Sequence, residues 1–264
     1  MIPILYESGF VSIQTLWIFV VAAVLISSYL VIERLKRARA NFTLLVEHST
    51  FILIWSLIGA RIVFFVTHGD TYLPGFDLRT LFNLFTIWDQ GLSLYGAVLG
   101  GGITLLYILK KNEENLSKWA DALMVPLLVA LGIGTLGSFL GGYAYGTPTD
   151  LPWGVLYESF NVKYTVPVHP VQLYEFILIG LILGGKRFLR KKTSWFEREG
   201  NSALYFAGSY SLSAFLLEFL RGDDTLLILG LRLPQIGFFI LTLLFGFLIW
   251  KRFKHPHHGS HETL

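Results

Sequence analysis

Apolar residues fall in long blocks along this chain. Seven are legible, at about 10–32, 51–66, 92–109, 120–140, 171–183, 203–220 and 236–250. Each comes near the roughly 20 residues that a helix needs to cross the hydrocarbon core of a bilayer. A backbone in lipid must satisfy its own hydrogen bonds, so blocks of this length predict helices. The pattern predicts an all-α integral membrane protein of seven transmembrane helices in one domain, residues 1–254, followed by a His-rich tail at 255–264. The connections at 68–90, 141–170 and 221–234 carry glycine and proline, and the first two carry aromatic residues as well.

Basic residues then orient the helices. Arg34, Lys36, Arg37 and Arg39 follow the first block, and Lys110, Lys111 and Lys118 the third. Lys186, Arg187, Arg190, Lys191, Lys192 and Arg198 follow the fifth, and Lys251, Arg252 and Lys254 the last. These are 16 of the 21 basic residues, all on alternate connections. The positive-inside rule places those connections in the cytoplasm, with the N-terminus outside, the C-terminus inside and an odd number of spans. The first block has no basic residues ahead of it, which argues against a cleaved signal peptide.

Composition agrees with this picture. The 264 residues are 53% hydrophobic and 15% charged, with a mean hydropathy of +0.58. The net charge of +3 reflects topology. No basic groove with interleaved aromatics points to nucleic acid. The absence of cysteine excludes disulfides, Cys-based metal sites and a thiol nucleophile. The tail histidines His255, His257, His258 and His261 read as a disordered cytoplasmic end, and we assign no metal and no cofactor.

Polar and glycine-rich stretches supply the candidate chemistry. Arg61 lies inside the second block, where an arginine is expensive and marks a function or a buried partner. Snorkelling to the outer headgroups is the plainer reading. The segment 68–90, with Tyr72, Phe76, Phe82, Phe85 and Trp88, reads as an amphipathic interfacial segment or as an aromatic belt. After it come Trp88, Gly91, Tyr95, Gly96 and Gly100 in regular spacing. The stretch 131–152 holds Gly132, Gly134, Gly137, Ser138, Gly141, Gly142 and Gly146, suited to close helix packing or to backbone against a ligand. His169-Pro170-Val171-Gln172-Leu173-Tyr174-Glu175 opens the fifth block, and a carboxylate there needs a partner. His169 is a possible general base or a helix cap. Tyr210, Glu218 and Arg221 follow in the sixth block, with Glu218 and Arg221 one turn apart.

These stretches resemble, in order and over nearly the whole chain, the motifs of the prolipoprotein diacylglyceryl transferases. Residues 88–100 resemble W-x-x-G-[LM]-[SA]-[IF]-[HYW]-G-[GA]-x-[IL]-G, with Leu94 at the [IF] position; residues 145–155 match Y-G-x-P-T-D-L-P-W-G-V; and residues 168–175 resemble R-H-P-[TS]-Q-L-Y-E, with Val168 at the Arg and Val171 at the [TS] position. Gly59-Ala60-Arg61 matches a G-[GA]-R, and Gln235 a G-Q turn. The resemblance departs at polar positions. Against G-R-x-G-N-F-x-N-x-E-x-x-G, Thr135 stands at the Arg, Ser138 and Gly141 at the two Asn, and Tyr143 at the Glu. Ala214 stands at a further Arg, and Leu16 at a Tyr.

The resemblance implies transfer of a diacylglyceryl group from phosphatidylglycerol to the cysteine thiol of a lipobox preprolipoprotein. It implies the outer face of the bacterial plasma (inner) membrane, without a metal. Tyr95, Tyr210 and Glu218 are the candidate catalytic residues. Arg61, Gly96, Gly137, Ser138, Gly146, His169, Gln172, Tyr174, Glu175 and Arg221 are the candidate substrate-binding residues. The missing polar groups leave an inactive relative, binding phospholipid or a lipoprotein signal segment, as the alternative. A seven-span transporter finds no support, since no inverted repeat and no paired mid-depth charges are evident.

Overall fold

A computed structural model describes residues 4–8, 11–67, 91–159 and 161–254. The elements are β1 (Ile4–Ser8), β2 (Val11–Gln14), α1 (Thr15–Arg37), α2 (Thr43–Glu47), α3 (Ser49–Thr67), α4 (Leu94–Lys111), α5 (Leu116–Gly141), α6 (Val171–Arg190), a 3-10 turn (Ser194–Glu197), α7 (Asn201–Leu217), β3 (Leu227–Ile228), β4 (Leu231–Arg232) and α8 (Leu233–Lys254). Each of the seven apolar blocks carries one of the long helices. Among the described residues, four helices, α1, α3, α5 and α8, are long and apolar enough to cross a membrane. Large apolar side chains such as Leu25, Leu53, Ile240 and Phe247 face outward from them, as lipid contact requires.

The first block differs from expectation at its start. Residues 11–14 form β2, an antiparallel partner of β1 that pairs Tyr6 with Ile13 and Ile4 with Gln14. The helix begins only at Thr15, because the residues ahead of it are engaged in this ladder. The amphipathic or aromatic-belt segment expected at 68–90 and the tail at 255–264 lie outside the described residues.

The chain divides into two compact units, 35–119 and the remainder. In the first, α3 and α4 pack with their backbones almost in contact. A Cβ at Gly96 would run into the Gly59 carbonyl, and one at Gly100 into the Trp55 carbonyl. This is the small-residue crossing that lets membrane helices approach closely. Ser93 caps α4 by accepting from the Gly96 amide at 3.4 Å, and its own amide donates to the Ala60 carbonyl at 3.1 Å.

In the second unit, Leu128 of α5, Ile179 and Ile182 of α6 and Phe206 of α7 form the apolar core. Two polar devices tie these helices. Pro126 within α5 has no amide to offer the Ala122 carbonyl, and Arg34 Nε donates to that carbonyl at 3.2 Å. Asp121 accepts from the Gly200 and Ala203 amides at 2.7 Å each, capping the N-terminus of α7 from α5.

Candidate functional site

The site in the second unit starts from a backbone ladder. Helix α5 ends at Gly141, and Gly142, with φ of 72°, turns the chain out of the helix, its successor Tyr143 donating back to the Ser138 carbonyl at 2.9 Å. The chain then runs extended. The Gly146 amide donates to the His169 carbonyl at 3.1 Å, and the Thr147 amide to the Leu220 carbonyl at 2.8 Å. The Gly222 amide donates to the Tyr145 carbonyl at 2.9 Å. Gly146 is thus held between the segments carrying His169 and Arg221, and a Cβ on it would meet both the carbonyl and the Cβ of His169. Tyr145, Tyr157 and Val168 pack beneath as a small apolar core.

This ladder sets Arg221 beside the start of α6. Arg221 Nη2 lies 3.5 Å from Glu175 Oε2, and its Nη1 lies 3.5 Å from Glu218 Oε1. The other Glu175 oxygen accepts from the Tyr210 hydroxyl at 2.7 Å. The carboxylate at the head of the fifth block therefore has the partners its position demanded. The structure adds a residue that the sequence reading missed. Glu218 Oε2 accepts from Arg232 Nε at 2.8 Å, a far tighter bond than its contact with Arg221. Arg232 also reaches Asp223, through Nη1 to the carbonyl at 2.7 Å and Nη2 to the carboxylate at 3.0 Å. Glu218 is therefore held by Arg232 as well as by Arg221. The pair of Glu218 and Arg221 expected from their one-turn spacing forms, at 3.5 Å, just past the end of α7 at Leu217, where Glu218 is the C-cap.

The remaining candidates fall into place around this cluster. Tyr174 opens α6, and its hydroxyl accepts from Trp153 Nε1 at 2.7 Å and lies 3.3 Å from His169 Nδ1. The His169 side chain does not cap α6; Pro170 occupies the N-cap, and the His169 carbonyl receives the Val171 amide. Gln172 is buried and spent on structure. Its Nε2 donates to the Tyr143 carbonyl at 2.6 Å, and its Oε1 accepts from the Tyr157 hydroxyl at 3.4 Å. Burial pushes the Tyr157 phenol up to about 12, with the Gln172 bond opposing it. Gly137 packs on Phe19 and Leu16.

The positions that depart from the family pattern are absorbed locally. The Thr135 hydroxyl donates to the Gly132 carbonyl at 2.8 Å, and the Tyr143 hydroxyl to Gln14 Oε1 at 3.3 Å. Ala214 is buried within α7.

In the first unit, Arg61 is 4% exposed. Its Nη1 donates to the Gly91 carbonyl at 2.8 Å, and its guanidinium lies over the Phe65 ring at 5.0 Å. Gly91 has φ of 134° with the Phe64 ring against it, so no other residue fits there without strain. This contact joins the Gly59-Ala60-Arg61 stretch to the glycine that begins the described part of the 88–100 motif. Gly96 serves the helix crossing, and Tyr95 is half-exposed in the first turn of α4.

The model of the prolipoprotein diacylglyceryl transferase family matches residues 3–251. A protein of Polynucleobacter necessarius named phosphatidylglycerol–prolipoprotein diacylglyceryl transferase is 33% identical over 186 residues, 69% of each chain. Proteins of the same name from Geobacter sulfurreducens and Prochlorococcus marinus are 29% identical over 245 residues and 28% over 236. These cover 88% and 81% of this chain, and 89% and 77% of the relatives.

Proposed function

The chain belongs to the prolipoprotein diacylglyceryl transferase family, and from that premise we propose that it moves diacylglyceryl from phosphatidylglycerol to the cysteine thiol of a lipobox preprolipoprotein. The thiolate sulfur attacks the glycerol carbon that bears the phosphate. A carbon–sulfur bond forms, the carbon–oxygen bond breaks, and glycerol-1-phosphate leaves with the electron pair. The thiol must first lose its proton. The leaving phosphate needs positive donors, and the lipid must be held with its carbon near the sulfur.

The observation that carries this reading is the joined cluster of Tyr210, Glu175, Arg221 and Glu218. It gathers retained polar residues from two distant motifs at one end of the α6–α7 pair. The other end of that pair carries the basic run from Lys186 to Arg198. With seven spans and the basic loops cytoplasmic, the cluster lies at the outer face of the bacterial plasma membrane. Tyr210 and Glu218 are the residues of this unit we assign to the reacting end, and Tyr95 is the catalytic candidate of the first unit. Arg221 is assigned to the phosphate, because a planar guanidinium bonds two of its oxygens at once; Arg61, in the first unit, is a separate candidate with the same chemistry. His169, Tyr174 and Glu175 line the approach, while Gln172, Gly96, Gly137, Ser138 and Gly146 act through the backbone they shape.

Removing one charge-stabilising donor costs about 10²–10³ in rate, so transfer is expected to be slow with Thr135 and Ala214 in place. The test is transfer from phosphatidylglycerol to a lipobox peptide by the purified chain, then by T135R, S138N and A214R together. Measurable transfer that rises in the restored variant supports the reading; none from the native chain, with no complementation of a transferase-depleted cell, overturns it. Orientation has its own test, because the native chain lacks cysteine. A K191C variant labelled from outside intact cells would reverse the topology.

A further inference from the structure

Leu227 to Arg232 form the β3–β4 hairpin, directly ahead of α8. Leu227 pairs with Arg232 and Ile228 with Leu231, and the Leu233 amide closes the base on the Leu226 carbonyl at 2.9 Å. Residues paired across strands put their side chains on one face. Arg232 is turned to Glu218 and Asp223, so the Ile228–Leu231 pair lies on the opposite face. A sheet that meets water keeps one face polar. Here Leu227, Ile228, Leu229 and Leu231 are all exposed, and Leu229 is 100% exposed.

The turn makes the same point. Leu229 and Gly230 both have positive φ, 53° and 81°, the pattern of a type I′ turn, which favours Asn-Gly or Asp-Gly. A leucine in that conformation crowds its Cβ against the backbone, and at full exposure it has no packing in the chain to offset the strain. Water at the tip would favour asparagine on both counts.

Position supplies the medium. Helix α8 has 22 residues, about 33 Å at 1.5 Å per residue, against about 30 Å of hydrocarbon in a bilayer. Lys251, Arg252 and Lys254 in its last turn belong among headgroups. Its first residue, Leu233, therefore stands near the opposite hydrocarbon boundary. From there Leu229 is at most about 13 Å away along a strand, so the hairpin starts inside the interfacial layer. Exposed apolar residues flank it in the chain on both sides, Leu216 and Phe219 before it and Phe239 and Ile240 after it. The lipid-facing surface of α8 continues into the hairpin.

We propose that the β3–β4 hairpin lies in the membrane interface, with Leu229 and the Ile228–Leu231 face set into the acyl boundary beside the Glu218 cluster. The open edges of a two-stranded hairpin carry backbone groups that hydrocarbon cannot satisfy, which holds it at the headgroup–acyl boundary and out of the bilayer core. Arg232 at the hairpin base stays at headgroup level, and its bonds to Glu218 and Asp223 tie the candidate site to that depth. The choice of the outer leaflet rests on the topology proposed above; immersion itself does not.

The experiment uses the full chain in phosphatidylglycerol–phosphatidylethanolamine vesicles, with a nitroxide on single cysteines, since the native chain has none. Collision with oxygen, which enters lipid, is compared with collision with a water-soluble nickel chelate. F247C in the middle of α8 marks the core, and D150C in an exposed loop marks water. L229C and L231C are expected to favour oxygen well above D150C and less than F247C. L231C read in an L229N background should shift toward D150C, because asparagine eases the turn and removes the apolar tip. Values equal to D150C overturn the inference. Probes shielded from both reagents also overturn it: broadening that vanishes on dilution with unlabelled chain assigns the hairpin to a second copy, and shielding that appears only with a lipobox peptide assigns it to the substrate. An L231C value unmoved by L229N overturns the anchoring role of Leu229. Failure of the transfer assay leaves the immersion standing, and outside labelling of K191C would move it to the inner leaflet without removing it.

Discussion

The Tyr210 hydroxyl donates to Glu175 Oε1 at 2.7 Å, joining α7 to the first turn of α6 across 35 positions of sequence. The acceptor is a largely buried carboxylate that Arg221 touches on its other oxygen. Hydrogen bonds to charged groups contribute about 1.5–3 kcal/mol. Y210F is therefore expected to lower thermal stability by an amount in that range. In an E175Q background the same substitution should cost less, because the acceptor is then neutral. Thermal unfolding of the four proteins checks this, and equal losses in both backgrounds would refute the pairing.

Arg34 and Pro126 form a second coupled pair. The proline leaves the Ala122 carbonyl without its helical donor, and Arg34 supplies one. R34A should destabilise the native chain by roughly 1–3 kcal/mol, the cost of an unsatisfied buried group. P126A restores the helical amide, so R34A should be nearly neutral beside it. A double-mutant cycle read by thermal unfolding gives the coupling. A full R34A loss on the P126A background would show that Arg34 stabilises the chain some other way.

The long helices were legible because a long apolar block is a strong signal, whereas the start of the first was not. Val11 and Ile13 continue the apolar character of α1 toward the N-terminus, and only pairing with β1 makes residues 11–14 a strand. The candidate site was half legible. Glu218 and Arg221 are three residues apart, within reach of a spacing argument. Arg232 reaches Glu218 through a hairpin, and no spacing rule covers that. A signal did exist: the alternating basic loops account for all but Arg61, Arg79, Lys163, Arg221 and Arg232. Four of these five lie in the described residues, and each holds an oxygen: Arg61 that of Gly91, Lys163 that of Asp224, Arg221 those of two glutamates, Arg232 those of Glu218 and Asp223. Basic residues that break the topology pattern mark where charge is held for another purpose. Contacts such as Tyr143 with Gln14, 129 positions apart, are fixed only by the packing of the helices.

The crossing of α3 and α4 yields a prediction with a built-in control. G96A places a methyl against the Gly59 backbone, whereas G102A meets nothing within 4 Å. G96A is expected to force the helices apart and to lower expression and melting temperature, by the roughly 1–3 kcal/mol typical of overpacking. G102A should be neutral or slightly stabilising, since alanine loses less entropy in a helix. If both variants melt alike, close packing at Gly96 is not what the glycine provides.

Tyr157 gives the alkaline limit of the loop that carries the site. Burial holds its phenol up to about 12, against about 10 in an unfolded chain. The folded state binds this proton more tightly, so the stability it contributes is complete below about pH 10 and is lost as pH rises from there to about 12. Y157F removes the ionisable group and should raise the pH at which the chain unfolds in base. Tyrosinate absorbance should lose its latest step in the same variant. An unchanged titration would place the late-ionising phenol elsewhere.

Arg61 separates a charge requirement from a geometric one. It is buried in a candidate span, bonded to the Gly91 carbonyl and set over the Phe65 ring. R61A removes the charge and the bond together, so both stability and phosphatidylglycerol binding should fall. R61K restores a cation able to reach one oxygen but not a planar fork. Stability should then recover further than lipid binding, because the Gly91 carbonyl needs one donor and a phosphate is best held by two. Native mass spectrometry with phosphatidylglycerol, beside thermal unfolding, separates the two effects. Retention of the lipid by R61A at the native level would assign Arg61 to structure alone.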